Sequence, residues 1–499
     1  MNTDHLNNYY SRLGILPTAT LEEIGAAYQQ AAWQFNPENN SDPNSIELFI
    51  KIKEAYEFLM DQAKRKDYNK LLPPDFNPFK DILINTTFSR PELSISSDPQ
   101  LLYVYIDMMA RKKTLTEKNE SRPPLNVCLL VDTSTSMAGE RFNAVKNVST
   151  EIIRNLGRND ILSIVTFNDF ASILIPATRV MDTRYAEEKI TQLTTKGSTE
   201  IFKGMQTAKS EIMRFYSPAY INHMILITDG HTYGDEELCY ELAVESITQQ
   251  IGISAIGIGE KWKDEFLDKL TSIAGGGCEY AQNPDVIKNI LTKMINHLNS
   301  IYANNIQLEI NTPNSVELRY AFRFKPNPAV IVPIENRYSL GDISTSQSLS
   351  LLLELYIKET PKNEDRITLM DGILSIAIPK SPDSSKKMRF ELTQKLTTNP
   401  EKTVPPPIFI SAMSKLKLFR MQNQALMELK AGNTNKATQI LRSLEVELIS
   451  KGEPDLARTV HFEIDRIKKG DTLSAEGKKQ IKYGTRSLAA PASDTEIKK

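Results

Sequence analysis

Histidine, cysteine and tryptophan are all scarce in this chain. Five histidines among 499 residues leave little material for a histidine-based metal or acid–base site. The three cysteines, Cys128, Cys239 and Cys278, are too few for a disulfide framework and too far apart for a zinc knuckle. Their thiols are expected to be reduced, and Cys128, inside an apolar run, is expected to be a buried strand residue. Long apolar runs are missing as well. The longest, such as 101–106, 127–131 and 329–334, have five or six residues, whereas a membrane helix needs about 20. The opening Met1–Leu6 has no basic or apolar leader pattern, so a cytoplasmic protein is expected. Charge of one sign is not in excess: 60 Lys and Arg face 62 Asp and Glu, a net charge of −2. That balance argues against a nucleic-acid partner held by bulk charge. No Gly-rich phosphate loop followed by Lys-Ser or Lys-Thr occurs, and no Gly-x-Ser-x-Gly nucleophile turn. The expectation is therefore a protein that is not an enzyme.

What is present divides into segments. Residues 1–70 read as a small helical domain. Thr20 can cap a helix whose first turn holds Glu22 and Glu23, and Phe49, Ile52, Tyr56 and Leu59 share a face of a later one. Trp33 and Phe35 are read as core. Residues 71–124 begin with Pro73, Pro74 and Pro78, which mark a linker, and continue into strands. Residues 125–300 alternate short apolar strands with helical patterns, the signature of a largely parallel, doubly wound sheet. Residues 301–404 return to strands and suggest a β-sandwich. The strands before residue 112 should join it, so that the α/β domain is an insertion. Pro405, Pro406 and Pro407 open a helical region over 405–488, and 489–499 read as a disordered tail. The Lys- and Arg-containing stretch 466–486 reads as a solvated helix face. Gly275, Gly276 and Gly277 read as a turn.

The strand 126–131 runs into Asp132-Thr133-Ser134-Thr135-Ser136. In extended chain, residues i, i+2 and i+4 point the same way, so Asp132, Ser134 and Ser136 can aim three oxygens at one point. Thr199, before a helix, and Asp229, at the end of another strand, should lie on the same sheet edge, where ligands of such sheets bind. The donors are all hard oxygens, which suit Mg²⁺ and next Mn²⁺. Two carboxylates leave room for an outside one. This pattern resembles the metal-ion-dependent adhesion site of von Willebrand factor A (vWA) domains, over about residues 125–300. The resemblance implies that Asp132, Ser134, Ser136 and Thr199 hold the cation directly or nearly so. It places Asp229 behind a water, and it implies a protein partner whose Asp or Glu completes the metal shell. The sandwich around the domain, the helices after it and Lys482-Tyr483-Gly484-Thr485-Arg486 look like bacterial stand-alone members. His231, after Asp229-Gly230, reads as a loop neighbour of the site.

Tyr10-x-x-Leu13-Gly14, Ala27-Tyr28, Glu54-Ala55-Tyr56 and Lys64-Arg65-x-x-Tyr68 together resemble a J-domain. J-domains stimulate a chaperone ATPase through a His-Pro-Asp loop and a basic helix before it. Here the loop reads Asn36-Pro37-Glu38, and Tyr28–Phe35 holds no Lys or Arg. The resemblance thus implies a J-like docking module at Asn36, Pro37 and Glu38. The expected whole is a multidomain α/β scaffold protein that binds a partner carboxylate through Mg²⁺, without nucleic acid or membrane. The alternative is a co-chaperone of a chaperone ATPase.

Overall fold

The computed structural model describes residues 8–36, 45–72, 76, 78–111, 122–179, 183–229, 234–259, 262–379, 385–401 and 403–489. They form two compact units. Among these residues, one unit joins the chain up to Pro123 with Ser300–Ile410; the other joins Pro124–Asn299 with the chain from Ser411 to Ala489.

The first unit opens with helices α1 (Tyr9–Leu13), α2 (Leu21–Phe35), α3 (Ser45–Met60) and α4 (Gln62–Leu71). Thr20 caps α2 as expected: its Oγ1 accepts from Glu23 N at 3.1 Å, and Glu23 Oε2 accepts from Thr20 N at 2.7 Å. Arg65 ties α4 to the loop before α2 by donating to the carbonyls of Pro17 and Ala19 at 2.8 and 2.6 Å. The buried stripe of α2 is Ile24, Ala27, Ala31 and Phe35. Phe35 is core, but Trp33 is not: two positions off that stripe, it is 62% exposed. The helix pattern places Trp33 outside because 3.6 residues per turn leaves i−2 nearly opposite.

Strands β1 (Ile82–Phe88), β2 (Glu92–Ser94) and β3 (Gln100–Ala110) follow. Leu83 and Met109 complete the helical core. The chain then leaves for the second unit: β4 (Leu125–Asp132), α5 (Glu140–Asn155), β5 (Ile161–Phe167), β6 (Ala171–Arg179), α6 (Thr183–Thr191), α7 (Ile201–Met213), β7 (Ile221–Thr228), α8 (Glu236–Thr248), β8 (Ile251–Ile258), α9 (Asp264–Ile273), β9 (Gly275–Ala281) and α10 (Pro284–Asn299). Their six-stranded sheet runs β6-β5-β4-β7-β8-β9, parallel throughout except for β6 at one edge. Every residue of β4, β5 and β7 is buried, which is why these strands read as unbroken apolar runs. The glycines 275–277 are strand, not turn. A Cβ on Gly276 would lie 2.0 Å from the Ile253 carbonyl oxygen, so this is where β8 and β9 approach too closely for a side chain.

On its return the chain adds β10 (Ile301–Asn311), β11 (Val316–Lys325), β12 (Ala329–Val330), β13 (Arg337–Ser344), β14 (Leu349–Ile357), β15 (Arg366–Ala377) and β16 (Ser385–Thr397). Two five-stranded sheets result, ordered β1-β3-β14-β11-β12 and β13-β10-β15-β16-β2. The strand β3 pairs with β14, as Ile106 opposite Leu351, and β16 pairs with β2, as Lys395 opposite Glu92. Strands on either side of the α/β domain thus share both sheets, so that domain is inserted in a β-sandwich. Isoleucines and leucines from both sheets fill its core.

The chain closes with α11 (Pro407–Lys430), α12 (Thr434–Ser450), α13 (Pro454–Lys468) and α14 (Ala475–Ser487). Leu418, Leu441, Leu444, Val460, Ile464 and Ile481 pack together between them. The stretch 466–486 is not a simple solvated face. Lys482 pairs with Asp264 at 2.6 Å and Asp268 at 2.7 Å, and Arg486 with Asp268 at 2.6 Å. Lys479, Lys482 and Arg486 are buried. A basic stripe at i, i+3, i+7 looks the same in sequence whether it faces water or the acidic pair of another helix. Ala489, assigned to the tail, is buried; residues 490–499 lie outside the described residues. Among the described residues, no helix is long and apolar enough to cross a membrane.

Candidate metal centre

Strand β4 has β5 on one side and β7 on the other. The connection from β4 to β5 therefore leaves in one direction, with β6 beyond it, and β7, β8 and β9 lie in the other. The carboxyl end of β4 is a topological switch point, where such sheets form a crevice. Asp132 is the last residue of β4 and is fully buried. Ser134 N donates to Asp132 Oδ1 at 2.8 Å, folding the chain back over the strand end. A 3₁₀ turn, Thr135–Met137, then exposes Ser136, and Gly139 at φ 93° starts α5.

The other two loops come to the same edge. On the β7 side, Thr228 Oγ1 donates to Asp132 Oδ2 at 2.5 Å, and Ser136 Oγ donates to Asp229 Oδ1 at 2.6 Å. The hydroxyls of Ser134 and Ser136 stand 3.0 Å apart. Asp132, Ser134, Ser136 and Asp229 are thus joined in one hydrogen-bonded run, in which Ser134 meets Asp132 through its backbone N–H and Ser136 through its hydroxyl. On the β5 side, Lys196 N donates to Thr133 O at 2.8 Å, and Thr135 N donates to Gly197 O at 3.2 Å. These bonds clamp the segment carrying Thr199 onto the 132–136 loop, and Thr199 is buried. Asn168 braces both: its Nδ2 donates to Thr133 Oγ1 at 3.2 Å, and its carbonyl accepts from Glu200 N at 2.9 Å. All five oxygen-bearing residues therefore stand on three adjoining loops at one sheet edge.

Electrostatics make this edge expectant of positive charge. Burial pushes the Asp132 carboxyl up to about 6, against the bonds from Thr228 and Ser134, and the neighbouring Asp229 adds to the rise. Two buried anions side by side are costly unless a cation joins them. The donor set of two carboxylates and three hydroxyls is hard and fits Mg²⁺ or Mn²⁺. Among the described residues, no cluster of three His, Cys, Asp or Glu is placed to hold a metal.

Arg141 was not foreseen. Its Nη1 lies 3.5 Å from Asp229 Oδ2, and only its place two residues after Gly139 marked it. Thr228 could have been suspected as the strand residue beside Asp229. His231 lies outside the described residues, as do Pro37 and Glu38; Asn36 ends α2.

Three family descriptions match the chain. A von Willebrand factor type A domain matches residues 126–293, a DnaJ domain residues 8–69, and an Sll0103-like C-terminal alpha-helical domain residues 409–491. The chain carries a vWA domain and a DnaJ domain. The Synechocystis protein sll0103 is 23% identical over 391 residues, which are 76% of this chain and 91% of that one. The chaperone protein DnaJ of Hydrogenobacter thermophilus is 40% identical over 67 residues, 13% of this chain and 19% of that one. That likeness concerns the N-terminal domain alone. A von Willebrand factor type A structure from Catenulispora acidiphila superposes with a TM-score of 0.61 at 16% identity, covering 81% of this chain and 96% of its own. It shares the fold. The oxygen-lined edge described above is the carboxyl edge of the vWA sheet, and the helices α11–α14 fall in the Sll0103-like region.

Proposed function

We propose that this is a non-enzymatic interaction protein whose vWA domain binds Mg²⁺, or Mn²⁺, and through it a carboxylate of a partner protein. Asp132, Ser134, Ser136 and Thr199 would hold the cation, with Asp229 behind it. The cation would supply a positive centre with a vacancy for an Asp or Glu side chain. Asp132 and Asp229 balance its charge, Thr228 orients Asp132, and Asn168 fixes the loop beside Thr199. The observation that carries this reading is the hydrogen-bonded run from Asp132 through Ser134 and Ser136 to Asp229.

The DnaJ domain is proposed as a second docking module. Its fold is present, but Asn36 stands where J-domains have histidine and the helix before it is uncharged over Tyr28–Phe35. Charge complementarity governs encounter in such contacts. A co-chaperone role is the second reading, favoured by the match to DnaJ over residues 8–69.

The test is capture of partners from the source cells by the immobilised full chain, with Mg²⁺ or with EDTA, read by mass spectrometry. The expected result is a set of proteins retained only with Mg²⁺ and lost in Asp132→Ala. Identical capture by both variants in both buffers would remove the metal-bridged reading.

A further inference from the structure

Arg141 stands in the first turn of α5, where the helix end disfavours a cation. Its guanidinium, on a side chain 40% exposed, nevertheless lies between two groups. On one side is Asp229, at 3.5 Å. On the other is Gly259, which has φ 69° and no side chain. A Cβ there would lie 2.8 Å from the guanidinium carbon, so the bare backbone of Gly259 is the surface on which Arg141 rests.

Gly259 is itself held. Its N–H donates to Ala281 O at 3.1 Å, and its carbonyl accepts from Trp262 Nε1 at 3.0 Å. Trp262 is buried with its ring against Gly257, where a Cβ would fall 2.1 Å from the ring. Helix α14 also packs on the indole. The Tyr483 ring centroid is 5.6 Å from it, and the Lys479 ammonium is 4.7 Å from the indole centroid. Lys482 and Arg486, one turn apart, anchor α14 to Asp264 and Asp268. Contacts therefore run without a gap from α14 through Trp262 and Gly259 to Arg141 and Asp229.

We propose that α14 holds Arg141 as a resident cation at the metal centre, so that Mg²⁺ binding and the docking of α14 oppose one another. This rests on the metal reading above and adds its regulation. A guanidinium beside Asp229 repels a divalent ion at the same carboxylates. When Mg²⁺ enters, Arg141 must yield, and its support on Gly259 and Trp262 loosens. The coupling is reciprocal: whatever frees α14 tightens Mg²⁺ binding. The structure of the relay is a packed set of side chains, and its energy must be measured.

The chain has two tryptophans, Trp33 and Trp262, which makes that measurement direct. In the full-length Trp33→Phe protein, Trp262 is the sole indole. Mg²⁺ is titrated by calorimetry and by Trp262 emission. The expected results are a change of Trp262 emission that saturates with Mg²⁺, at least tenfold tighter Mg²⁺ binding in Arg141→Gln, and severalfold tighter binding in Lys479→Ala. Arg141→Lys, which keeps the charge, should stay near the parent affinity. Mg²⁺ binding with unchanged or weaker affinity in Arg141→Gln overturns this inference and leaves the metal site standing. A parent protein that binds no Mg²⁺ overturns both.

Discussion

Asp132 and Thr228 show how one residue can depend on another 96 positions away. Thr228 Oγ1 donates to Asp132 Oδ2 deep in the strand end. Replacing it by valine removes that donor from a fully buried carboxylate. The expected cost is about 1–3 kcal/mol of stability, measured by urea denaturation in EDTA. His223 gives the chain an acid-sensitive point of a different kind. It is buried on β7, with its ring against Gly252 and Nε2 2.9 Å from Ser254 Oγ. Burial pushes its pKa from 6.5 down to about 3, and His297 adds to the fall. The unfolded chain therefore binds the proton first. His223 contributes stability that is present above about pH 6.5 and lost as pH falls toward 3. Between pH 7 and pH 5 the loss is about 2 kcal/mol, and His223→Asn should flatten that part of the pH profile of the denaturation midpoint. The five oxygen-bearing residues could be picked out because strand alternation and sheet topology both act on sequence. Arg141 could not, since its role depends on the bare backbone of Gly259, 118 residues further on.

Elements with one buried face or two were easy to read, and charged ones were not. The strands β4, β5 and β7 are continuous apolar runs and stand out. By contrast β16, Ser385–Thr397, alternates Lys, Arg and Glu with Met388, Phe390, Leu392 and Leu396, and only the second set is buried. Its period of two was hidden under its charge. β13, Arg337–Ser344, has the same mixed character. The helix α14 is the clearest case. Its basic residues meet Asp264 and Asp268, four residues apart on α9. Burial opposes ionisation of Asp268, but Arg486 and Lys482 outweigh it and hold its pKa below the usual value. This pairing therefore stabilises the fold above about pH 4 and is lost only in stronger acid. Asp268→Ala takes the Asp268 carboxylate from buried Arg486 and leaves Lys482 paired with Asp264 alone. It should cost about 3 kcal/mol or more and should speed proteolysis within α14. A protection pattern like that of the parent would show that α14 docks by apolar contacts alone.

At the scale of the whole chain, the β-sandwich is the frame. Two of its ladders join strands that precede the vWA domain to strands that follow it. The insertion was legible because strand-rich segments flank an alternating α/β segment. The pairing partners were not, since register over more than 240 residues leaves no local mark. The DnaJ domain belongs to the same unit as the sandwich, tied by the Asp81 N–H bond to Gly14 O at 2.9 Å and by Lys51 Nζ to Thr87 Oγ1 at 2.6 Å. If it is a docking module rather than a co-chaperone, the full chain should not raise the steady-state ATP turnover of a DnaK-type chaperone. Asn36→His together with Glu38→Asp should still fall well short of a DnaJ control, because the helix before the loop has no cation. Stimulation that vanishes in Pro37→Ala would instead establish the co-chaperone reading.

The vWA domain's metal centre carries the functional account, and its most direct test is calorimetric titration of the full-length protein with Mg²⁺ near pH 7.5. The account predicts one saturable site per chain, abolished in Asp132→Ala while that variant keeps the parent's circular dichroism. A flat titration for the parent, or equal heats for a folded Asp132→Ala, would contradict it.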